Sequence, residues 1–236
     1  GALEKKILIL NITSDKVYKN NENLEPFNES SELGGLDPYS CSKSCAELIS
    51  HAFFDTYVNK LKLSNLSIAN LRAGNVIGGG DFGVNRIIPD IYRSTKMGEV
   101  LQLRMPYAIR PWQHVLDCLF GYLYALRHIS KSEDSISVNF NVGPQDSNNL
   151  TVLDICEQAK KWFPALSLKT KSELVAESKF LLLDSKLLTQ STGWKPVYDT
   201  YKAVEQTFKW YYNFDNGANV NDLVNKEIQD YLTNNN

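Results

Sequence analysis

The chain has 236 residues, of which 43% are hydrophobic and 22% are charged, and its formal net charge is -2. This length suffices for one full core or two small ones, and the near-neutral charge argues against a nucleic-acid partner. The longest apolar runs are much shorter than the roughly 20 residues that cross a bilayer, so we expect no membrane partner. The first residues lack the apolar stretch of a signal peptide, which predicts a cytoplasmic location.

The four cysteines and three histidines show no spacing typical of a metal site. Cys41 and Cys45 are four residues apart, but no second pair near them completes a zinc-binding set. Cys118 and Cys156 stand alone in the sequence. We therefore expect no metal, and we expect all four cysteines to be reduced residues that pack in the interior, as in cytosolic proteins.

The first predicted element is a strand over residues 5–12, a short apolar run typical of a buried parallel strand. Polar residues follow at 13–16, where such a strand reaches the carboxyl edge of its sheet. Ligands of open α/β sheets bind at that edge. A polar loop is predicted over 19–37, and helical spacing begins at Pro38, a residue suited to a first helical turn, and continues to about Lys62.

Further along, strand and helix patterns alternate at first and become more irregular in the second half. Strands are predicted at 66–71, 100–103 and 137–142, and helices at 85–97, 117–128, 151–162 and 200–212. This order predicts an α/β fold with an appended smaller lobe.

The strongest candidate for chemistry is the pair Tyr39 and Lys43 in the predicted helix. Residues four apart lie on one helix face, so the lysine ammonium can lie near the phenol and favour its ionised form. Tyr39 is then a candidate general base that takes a hydroxyl proton while hydride leaves the same carbon. A YxxxK pair also occurs by chance in many helices, with a solvated lysine, so the motif alone is weak.

A glycine cluster at 78–83 satisfies the pattern GxGxxG and follows a predicted strand. A dinucleotide fingerprint, however, belongs on the first strand of its unit and is followed by an acidic residue at the end of the next strand. Neither condition is met, and Pro89 lies in the following helical stretch. We expect these glycines to let the chain turn rather than to cradle phosphates.

Several motifs, in order along nearly the whole chain, resemble the extended short-chain dehydrogenase/reductase family, specifically the nucleotide-sugar 4,6-dehydratases and among them the CDP-glucose branch. They are TSDKVY (13–18), DPYSCSK (37–43), RAGNVIGGGDF (72–82), IRPWQHV (109–115), FNVGP (140–144), LLLDSKL (181–187), TGWKP (192–196) and KWYY (209–212). The resemblance implies an α/β fold with a partial Rossmann-like parallel sheet, whose first βα units are missing, and a smaller C-terminal α/β substrate-binding lobe.

The resemblance assigns catalytic roles to five residues. Tyr39 matches the family's catalytic tyrosine and Lys43 the lysine that binds the nicotinamide ribose, so both also count as cofactor-binding. Ser14 matches the hydroxyl residue beside the sugar O4, and Asp15 the acid that protonates the departing C6 hydroxyl. Lys16 stands where the thymidine-sugar branch has a glutamate. It is the candidate that helps to remove the C5 proton, and lysine there resembles the cytidine-sugar branch.

Four further residues match binding positions of the family. Ala73 lies where the backbone passes the nicotinamide. Asn75 and Arg110 match residues that contact the substrate pyrophosphate, a group that a guanidinium can grip with two hydrogen bonds. Arg86 falls in the segment that lies along the nucleotide. Pro111 departs from the wider family, which has an acid there, but agrees with the cytidine branch.

The resemblance implies two regions. Residues 1–80 would be the remaining part of the NAD-binding domain, with a return of the chain near 115–143, and residues 81–236 mainly the nucleotide-sugar-binding lobe. The implied cofactor is NAD and the implied partner a nucleotide sugar. We also expect a homo-oligomer. The expected activity of the full-length enzyme, a lyase, is dehydration of CDP-glucose to the 4-keto-6-deoxy sugar nucleotide.

Two alternatives stay open. A 4-epimerase of the same fold needs the tyrosine but no acid for a leaving hydroxyl, so Asp15 and Lys16 speak against it. A non-catalytic relative that binds nucleotide sugars fits the apparent lack of a dinucleotide fingerprint, whereas the intact tyrosine and lysine oppose it. Because that fingerprint is not found, we expect residues 1–236 alone to be inactive.

Overall fold

The computed structural model describes residues 5–20, 22, 24–62, 65–146, 148–170 and 178–234. Its strands are β1 (Ile7–Ile12), β2 (Leu66–Ala73), β3 (Asn75–Ile77), β4 (Val100–Leu103), β5 (Trp112–His114), β6 (Ser137–Val142) and β7 (Ser167–Thr170). Its α-helices are α1 (Pro38–Phe53), α2 (Ile87–Met97), α3 (Val115–Lys131), α4 (Val152–Ala159), α5 (Lys186–Thr192), α6 (Thr200–Asp215) and α7 (Val220–Asn234). None of the described helices is long and apolar enough to cross a membrane.

The chain divides into two compact units, each built from three segments. The first comprises Gly1–Gly74, Cys118–Gln145 and Leu181–Pro196. The second comprises Asn75–Asp117, Asp146–Phe180 and Val197–Asn236. The predicted division near residue 80 concerns which residues bind cofactor and which bind substrate, and it stays a prediction.

The first unit is built on a parallel sheet in the order β1-β2-β6. All eight residues of the central strand β2 are buried, as expected for a parallel strand covered on both faces. Asn11, Asn70 and Asn139 lie in register on the three strands, and their side-chain amides form two hydrogen bonds of 2.8 Å across the sheet. This ladder favours one register over its alternatives. The predicted α/β fold with parallel pairing is confirmed.

Helix α1 begins where the sequence predicts. Asp37 caps its first turn, with Pro38 next, and the chain continues beyond Phe53 as a π-helical stretch over Phe54–Lys60. The apolar residues whose spacing reveals the helix include Ile49, which is 69% exposed. The buried residues of α1 are instead polar: Ser40, Ser44 and Glu47.

The second unit contains two short parallel pairs, β3 with β5 and β4 with β7. Helix α6 packs against β5, and α7 packs against α6. The predicted helices and strands of this unit are present, but β3, β5, β7 and α7 were not predicted. Asn234 is the last residue of α7, and residues 235–236 lie outside the described part of the chain.

The prediction that all four cysteines pack in the interior is wrong for two of them. Cys118 and Cys156 are buried, whereas Cys41 and Cys45 are exposed. Both exposed residues lie on α1, whose inward face is occupied by Ser40, Ser44 and Glu47.

Candidate active site

The candidate site begins at the carboxyl end of β1, where the chain turns into a 3-10 turn over Asp15–Val17. Ser14 and Asp15 are buried there, with 8% and 4% of their surfaces exposed. The Ser14 hydroxyl donates a hydrogen bond to Asp15 Oδ1 (2.9 Å) and accepts one from the Lys16 backbone N–H (3.2 Å). The turn therefore fixes the hydroxyl and the carboxyl group side by side at the sheet edge.

Tyr39 is presented by the first turn of α1. The Asp37 carboxylate accepts hydrogen bonds from the backbone N–H groups of Tyr39 (2.9 Å) and Ser40 (3.0 Å). Hydrogen bonds from Ser40, first its hydroxyl and then its backbone, hold the pKa of Asp37 below its usual value. An ionised cap matches the positive end of the helix dipole, so the backbone that carries Tyr39 is firmly anchored while its ring remains half exposed.

Two ammonium groups lie near the Tyr39 ring. The Nζ atoms of Lys16 and Lys43 are 6.0 Å and 5.9 Å from its centroid. Lys43 also donates a hydrogen bond to the carbonyl of Ile12, at the end of β1 (3.4 Å), and α1 packs against the 3-10 turn. The structure thus brings Lys16, Tyr39 and Lys43 together.

A buried ion pair that the sequence did not predict lies beneath this site. Both carboxylate oxygens of Glu47 accept hydrogen bonds from Arg72 Nε (3.0 and 2.9 Å), and Arg72 Nη2 adds a third. The two side chains are 0% and 2% exposed. The hydroxyl of Thr13, next to Ser14, donates to Glu47 Oε1 (2.6 Å). We call Thr13, Glu47, Arg72, Tyr18 and Asn141 the Glu47–Arg72 network.

Tyr18 and Asn141 extend this network to the third strand of the sheet. The Tyr18 hydroxyl accepts a hydrogen bond from Arg72 Nη1 (2.8 Å) and donates one to Asn141 Oδ1 (2.6 Å). The Tyr18 ring stacks on Phe27, with centroids 4.8 Å apart. Burial raises the pKa of Tyr18 to about 12, so the hydroxyl stays neutral and can donate at physiological pH.

The signal for this network is visible in the sequence once the elements are known. Arg72 is the charged residue of an otherwise uncharged strand, LSIANLRA, and a charge inside a buried strand requires a partner. Glu47 lies one helical turn beyond Lys43, so the two share a face. What the sequence does not show is that these two residues, 25 positions apart, meet.

Ala73 is the last residue of β2 and is buried, in register with Val142 of β6. It lies at the same carboxyl edge of the sheet as Ser14 and Asp15, because the strands are parallel. The side chain of Ala73 is a single methyl group. The first unit therefore holds Ala73 together with the five predicted catalytic residues.

The predicted substrate residues all belong to the second unit. Asn75 begins β3 and pairs in register with Trp112. Arg86 caps α2, and its guanidinium forms an exposed ion pair with Asp81 (2.9 Å). Arg110 donates from Nη1 to the carbonyls of Ile109 (2.9 Å) and Lys179 (3.3 Å). The roles of these residues stay predictions.

The glycine cluster at 78–83 packs against an aromatic side chain. A Cβ atom on Gly79 would lie 2.0 Å from Cγ of Trp210, so only glycine fits. Gly80 has a φ of 82°, which glycine adopts without strain. The backbone N–H of Gly83 donates to Asp81 Oδ1 (2.9 Å), and the Tyr211 hydroxyl donates to the Asp81 carbonyl. Close packing and a turn thus account for these glycines.

Comparisons with known proteins identify the family of this chain. The family described as the NAD dependent epimerase/dehydratase family matches residues 2–143. CDP-glucose 4,6-dehydratase of Salmonella typhimurium is 36% identical over 229 residues, which are 95% of this chain and 64% of the relative. A dTDP-glucose 4,6-dehydratase of Xanthomonas campestris is 24% identical and covers 86% of this chain and 57% of its own length. The chain thus spans less than two thirds of these curated relatives.

Solved structures share the fold. A dTDP-glucose 4,6-dehydratase from Bacillus anthracis in complex with NAD superimposes with a TM-score of 0.73 at 21% identity, covering 88% of this chain and 62% of that one. A UDP-glucose-4-epimerase from Stenotrophomonas maltophila with bound NAD gives a TM-score of 0.75 at 19% identity, covering 90% of this chain and 65% of that one. At these identities the likeness establishes the fold alone.

Proposed function

The chain belongs to the NAD dependent epimerase/dehydratase family, and we propose that the full-length protein is a lyase that converts CDP-glucose into CDP-4-keto-6-deoxyglucose. The observation that carries this proposal is the placement of Tyr39 near two ammonium groups, on a helix that packs against the turn in which Ser14 and Asp15 form a buried hydroxyl and carboxyl pair. The 36% identical relative performs this reaction by name.

The residues at this edge suit the nicotinamide end of NAD. Lys43 would donate to the ribose hydroxyls, Tyr39 would lie beside them, and the small side chain of Ala73 leaves the backbone accessible. When bound, NAD supplies a hydride acceptor for C4 and returns that hydride to C6. The remaining chemistry consists of proton transfers, and the side chains described above can perform them.

The first proton transfer belongs to Tyr39. Acting as general base, it accepts the proton of the C4 hydroxyl as hydride leaves C4, with the Lys43 ammonium group near its ring. Ser14 would lie beside the same sugar oxygen and hydrogen-bond to it. The product of this step is a ketone at C4, which makes the neighbouring C5–H bond acidic.

The second stage is elimination of water across C5 and C6. Lys16 would help to remove the C5 proton and would return a proton to C5 when hydride is delivered to C6. Asp15 would protonate the departing C6 hydroxyl, so that it leaves as water. Burial of Asp15 at 4% exposure favours the protonated carboxyl that this role needs.

We assign recognition of the substrate's nucleotide portion to the second unit. Arg110 and Asn75 would bind the pyrophosphate, whose charge of about two negative units matches a guanidinium with its fixed donors. Arg86 would exchange its exposed ion pair with Asp81 for contacts along the nucleotide. An exposed pair costs little to break, because surface ion pairs contribute about 0–1 kcal/mol.

A 4-epimerase is the second candidate, since a solved neighbour of similar fold is one. An epimerase needs the base but loses no hydroxyl, so it has no use for an acid beside the leaving group. The buried Ser14 and Asp15 pair therefore favours the dehydratase. A relative that only binds nucleotide sugars would need neither the base nor the acid.

Two broader features of the full-length enzyme are also proposed. Self-association is favoured by apolar side chains exposed on α1 and its continuation, which are Leu48, Ile49, Phe53, Tyr57 and Leu61. A cytoplasmic location is favoured by the four described cysteines, which form no disulfide. Sedimentation of the full-length protein measures the first directly.

The decisive experiment mixes full-length protein with NAD and CDP-glucose and follows the alkaline absorbance of a keto sugar. Appearance of that absorbance is expected. Conversion to CDP-galactose without it would identify an epimerase, and binding without turnover would identify a non-catalytic relative. A parallel reaction with dTDP-glucose tests the preference for the cytidine nucleotide, and residues 1–236 alone are assayed in the same way.

A further inference from the structure

We propose that the Glu47–Arg72 network is a positioning device for catalysis, in which Glu47 fixes the helix that carries the base Tyr39 against the strand end that carries Ser14 and Asp15. This inference rests on the proposed function for its kinetic test. It adds Thr13, Glu47 and Arg72 to the functional residues as groups that act through others.

The base and Glu47 lie on one face of α1. Tyr39, Lys43 and Glu47 are spaced at i, i+4 and i+8 in α1, so they follow one line along the helix. The distance from Tyr39 to Glu47 along the axis is about 12 Å. Whatever fixes Glu47 therefore fixes the rotation and the axial position of the two residues that perform the first proton transfer.

Thr13 connects Glu47 to the end of β1. Thr13 is bonded on two sides: its backbone N–H donates to the carbonyl of Leu71 (2.9 Å), and its hydroxyl donates to Glu47 (2.6 Å). Ser14 follows directly in the chain. The Thr13 hydroxyl is thus a direct link between the helix that holds the base and the segment that holds the acid.

The Glu47 side chain is itself held in one position. Arg72 binds both of its carboxylate oxygens, and a bidentate pair with a planar guanidinium has one favoured geometry. Both side chains are almost fully buried, so water cannot replace either partner. The Arg72 backbone belongs to the central strand β2, which makes the sheet the fixed reference for both the helix and the strand end.

If the network only stabilised the fold, the ion pair would be sufficient and the Thr13 hydroxyl would have no separate role. The charge of Glu47 is already balanced by Arg72, so the Thr13 hydrogen bond is not needed to compensate it. What this bond adds is a set distance between two elements. Catalysis is sensitive to such distances, because displacements of about 1 Å between reacting groups can cost about a hundredfold in rate.

The test replaces Thr13 in the full-length holoenzyme with two matched variants. Thr13→Val keeps the shape and removes the hydroxyl, whereas Thr13→Ser keeps the hydroxyl. We expect Thr13→Val to lower kcat about tenfold with KM changed less than about twofold, since orientation rather than binding is lost. Thr13→Ser should restore most of the rate. With CDP-glucose deuterated at C4, the isotope effect on kcat should rise in Thr13→Val, because the chemical step becomes slower.

A second measurement does not depend on any activity. Amide hydrogen exchange at Lys16, whose N–H is bonded to Ser14 Oγ, should become faster in Thr13→Val but not in Thr13→Ser, while amides of β2 keep their protection. Wild-type kcat and exchange in Thr13→Val, or equal losses in both variants, would overturn the positioning role. If wild-type protein makes no keto sugar, the proposed function fails, and the exchange data alone decide on the network.

Discussion

At the scale of single residues, the site depends on how Tyr39 is surrounded. Its ring is half exposed, and the two lysine ammonium groups lie at nearly equal distances from its centroid. Lys43 is tied to the carbonyl of Ile12 and so has a fixed position. Lys16 extends from the 3-10 turn, which leaves it available for a second proton transfer after the first.

Replacing Tyr39 with phenylalanine should nearly abolish turnover in the full-length enzyme. The ring and its neighbours stay, but the group that accepts the C4 hydroxyl proton is lost. General base catalysis contributes about 10²- to 10⁴-fold, so kcat should fall by at least about a hundredfold. Production of the keto sugar measures the rate, and KM should change little. Turnover at the wild-type rate would remove Tyr39 from the mechanism.

Asp15→Asn should separate the two stages of the reaction. An amide cannot protonate the leaving hydroxyl, while the first oxidation does not use this group. We therefore expect elimination to slow more than oxidation, so that reduced cofactor accumulates during the first turnover. Rapid-mixing absorbance of the reduced nicotinamide measures this, with Tyr39→Phe as the control that should show no accumulation. Equal slowing of both stages would contradict the acid role of Asp15.

Spacing alone predicted part of this site. Tyr39 and Lys43 are four apart in a helix, so their proximity follows from helical geometry. Lys16 is 23 positions from Tyr39, and their meeting depends on how the 3-10 turn and α1 pack, which local patterns do not encode. The Glu47 and Arg72 pair was not predicted, because the sequence does not show which residue the charged Arg72 of the buried strand meets.

At the scale of elements, α1 shows why a correctly predicted helix can present an unexpected face. The apolar repeat that identifies it includes Ile49, Phe53 and Tyr57, all of which are exposed. Burial of its polar face is tolerated because the polar side chains there have hydrogen-bond partners. Ser44 donates to the carbonyl of Val17 (2.8 Å), and Glu47 is held by Arg72. Hydrophobic periodicity assumes that the apolar side faces inward, and here a satisfied polar side does so.

Arg72→Leu should destabilise the protein strongly, because it leaves the Glu47 carboxylate buried without its counter-charge. Breaking a buried pair costs about 3–5 kcal/mol of unfolding free energy. The double variant Glu47→Leu with Arg72→Leu removes both charges and should recover much of that loss. Urea unfolding is measured for the wild type, for Arg72→Leu and Glu47→Leu singly, and for the double variant. Purely additive effects would mean that the two charges do not depend on each other.

An exposed ion pair offers a matched control for the buried one. Lys202 and Glu205 are 2.6 Å apart on α6, with about half of each side chain exposed. Lys202→Ala should cost about 0.5 kcal/mol or less. The contrast with Arg72→Leu separates the effect of burial from the effect of simply losing a salt bridge.

Helix α7 should be loosened by Tyr231→Phe. The Tyr231 hydroxyl donates to Asp117 Oδ1 (2.8 Å), which also accepts from the Val197 N–H (2.6 Å). Burial raises the pKa of Asp117, so this carboxyl group relies on its donors when it is ionised. Loss of one donor should cost about 1–3 kcal/mol and accelerate amide exchange across Val220–Asn234. Thr233→Ala, at an exposed position of the same helix, should leave that exchange unchanged.

At the scale of the whole molecule, the alternation of strands and helices predicted the α/β class, and the parallel pairing confirms it. The motif resemblance predicted the family, which the comparisons also confirm. Strands of three residues such as β3 and β5 are too short to show a period. Local patterns also could not predict that each unit is built from three separate segments of the chain. The bridge between Phe27 and Leu183, for example, joins residues that are far apart in the sequence.

Buried tyrosines should make the stability of the fold fall at alkaline pH. Burial raises the pKa of Tyr18 and of Tyr198 to about 12, and it also raises the pKa of Tyr122 and Tyr211. An unfolded tyrosine releases its proton near pH 10, while the folded protein still holds it. Between pH 10 and about 12 the unfolded state therefore binds fewer protons, and each such tyrosine lowers stability by about 1.4 kcal/mol per pH unit.

Tyr18→Phe isolates the share of one residue in this loss. Tyr18 is 2% exposed, so solvent screening does not reduce its contribution to the free energy of unfolding. That contribution is fully present below pH 10 and is lost as the pH approaches 12. The variant should be less stable at neutral pH, because the bonds to Arg72 and Asn141 are lost, yet its stability should fall less steeply above pH 10. Urea unfolding at a series of pH values measures the slope. Tyr107→Phe, at a position 73% exposed, is the control and should keep the wild-type slope. If Tyr18→Phe kept that slope as well, the Tyr18 phenol would be ionising in the folded protein as readily as in the unfolded chain.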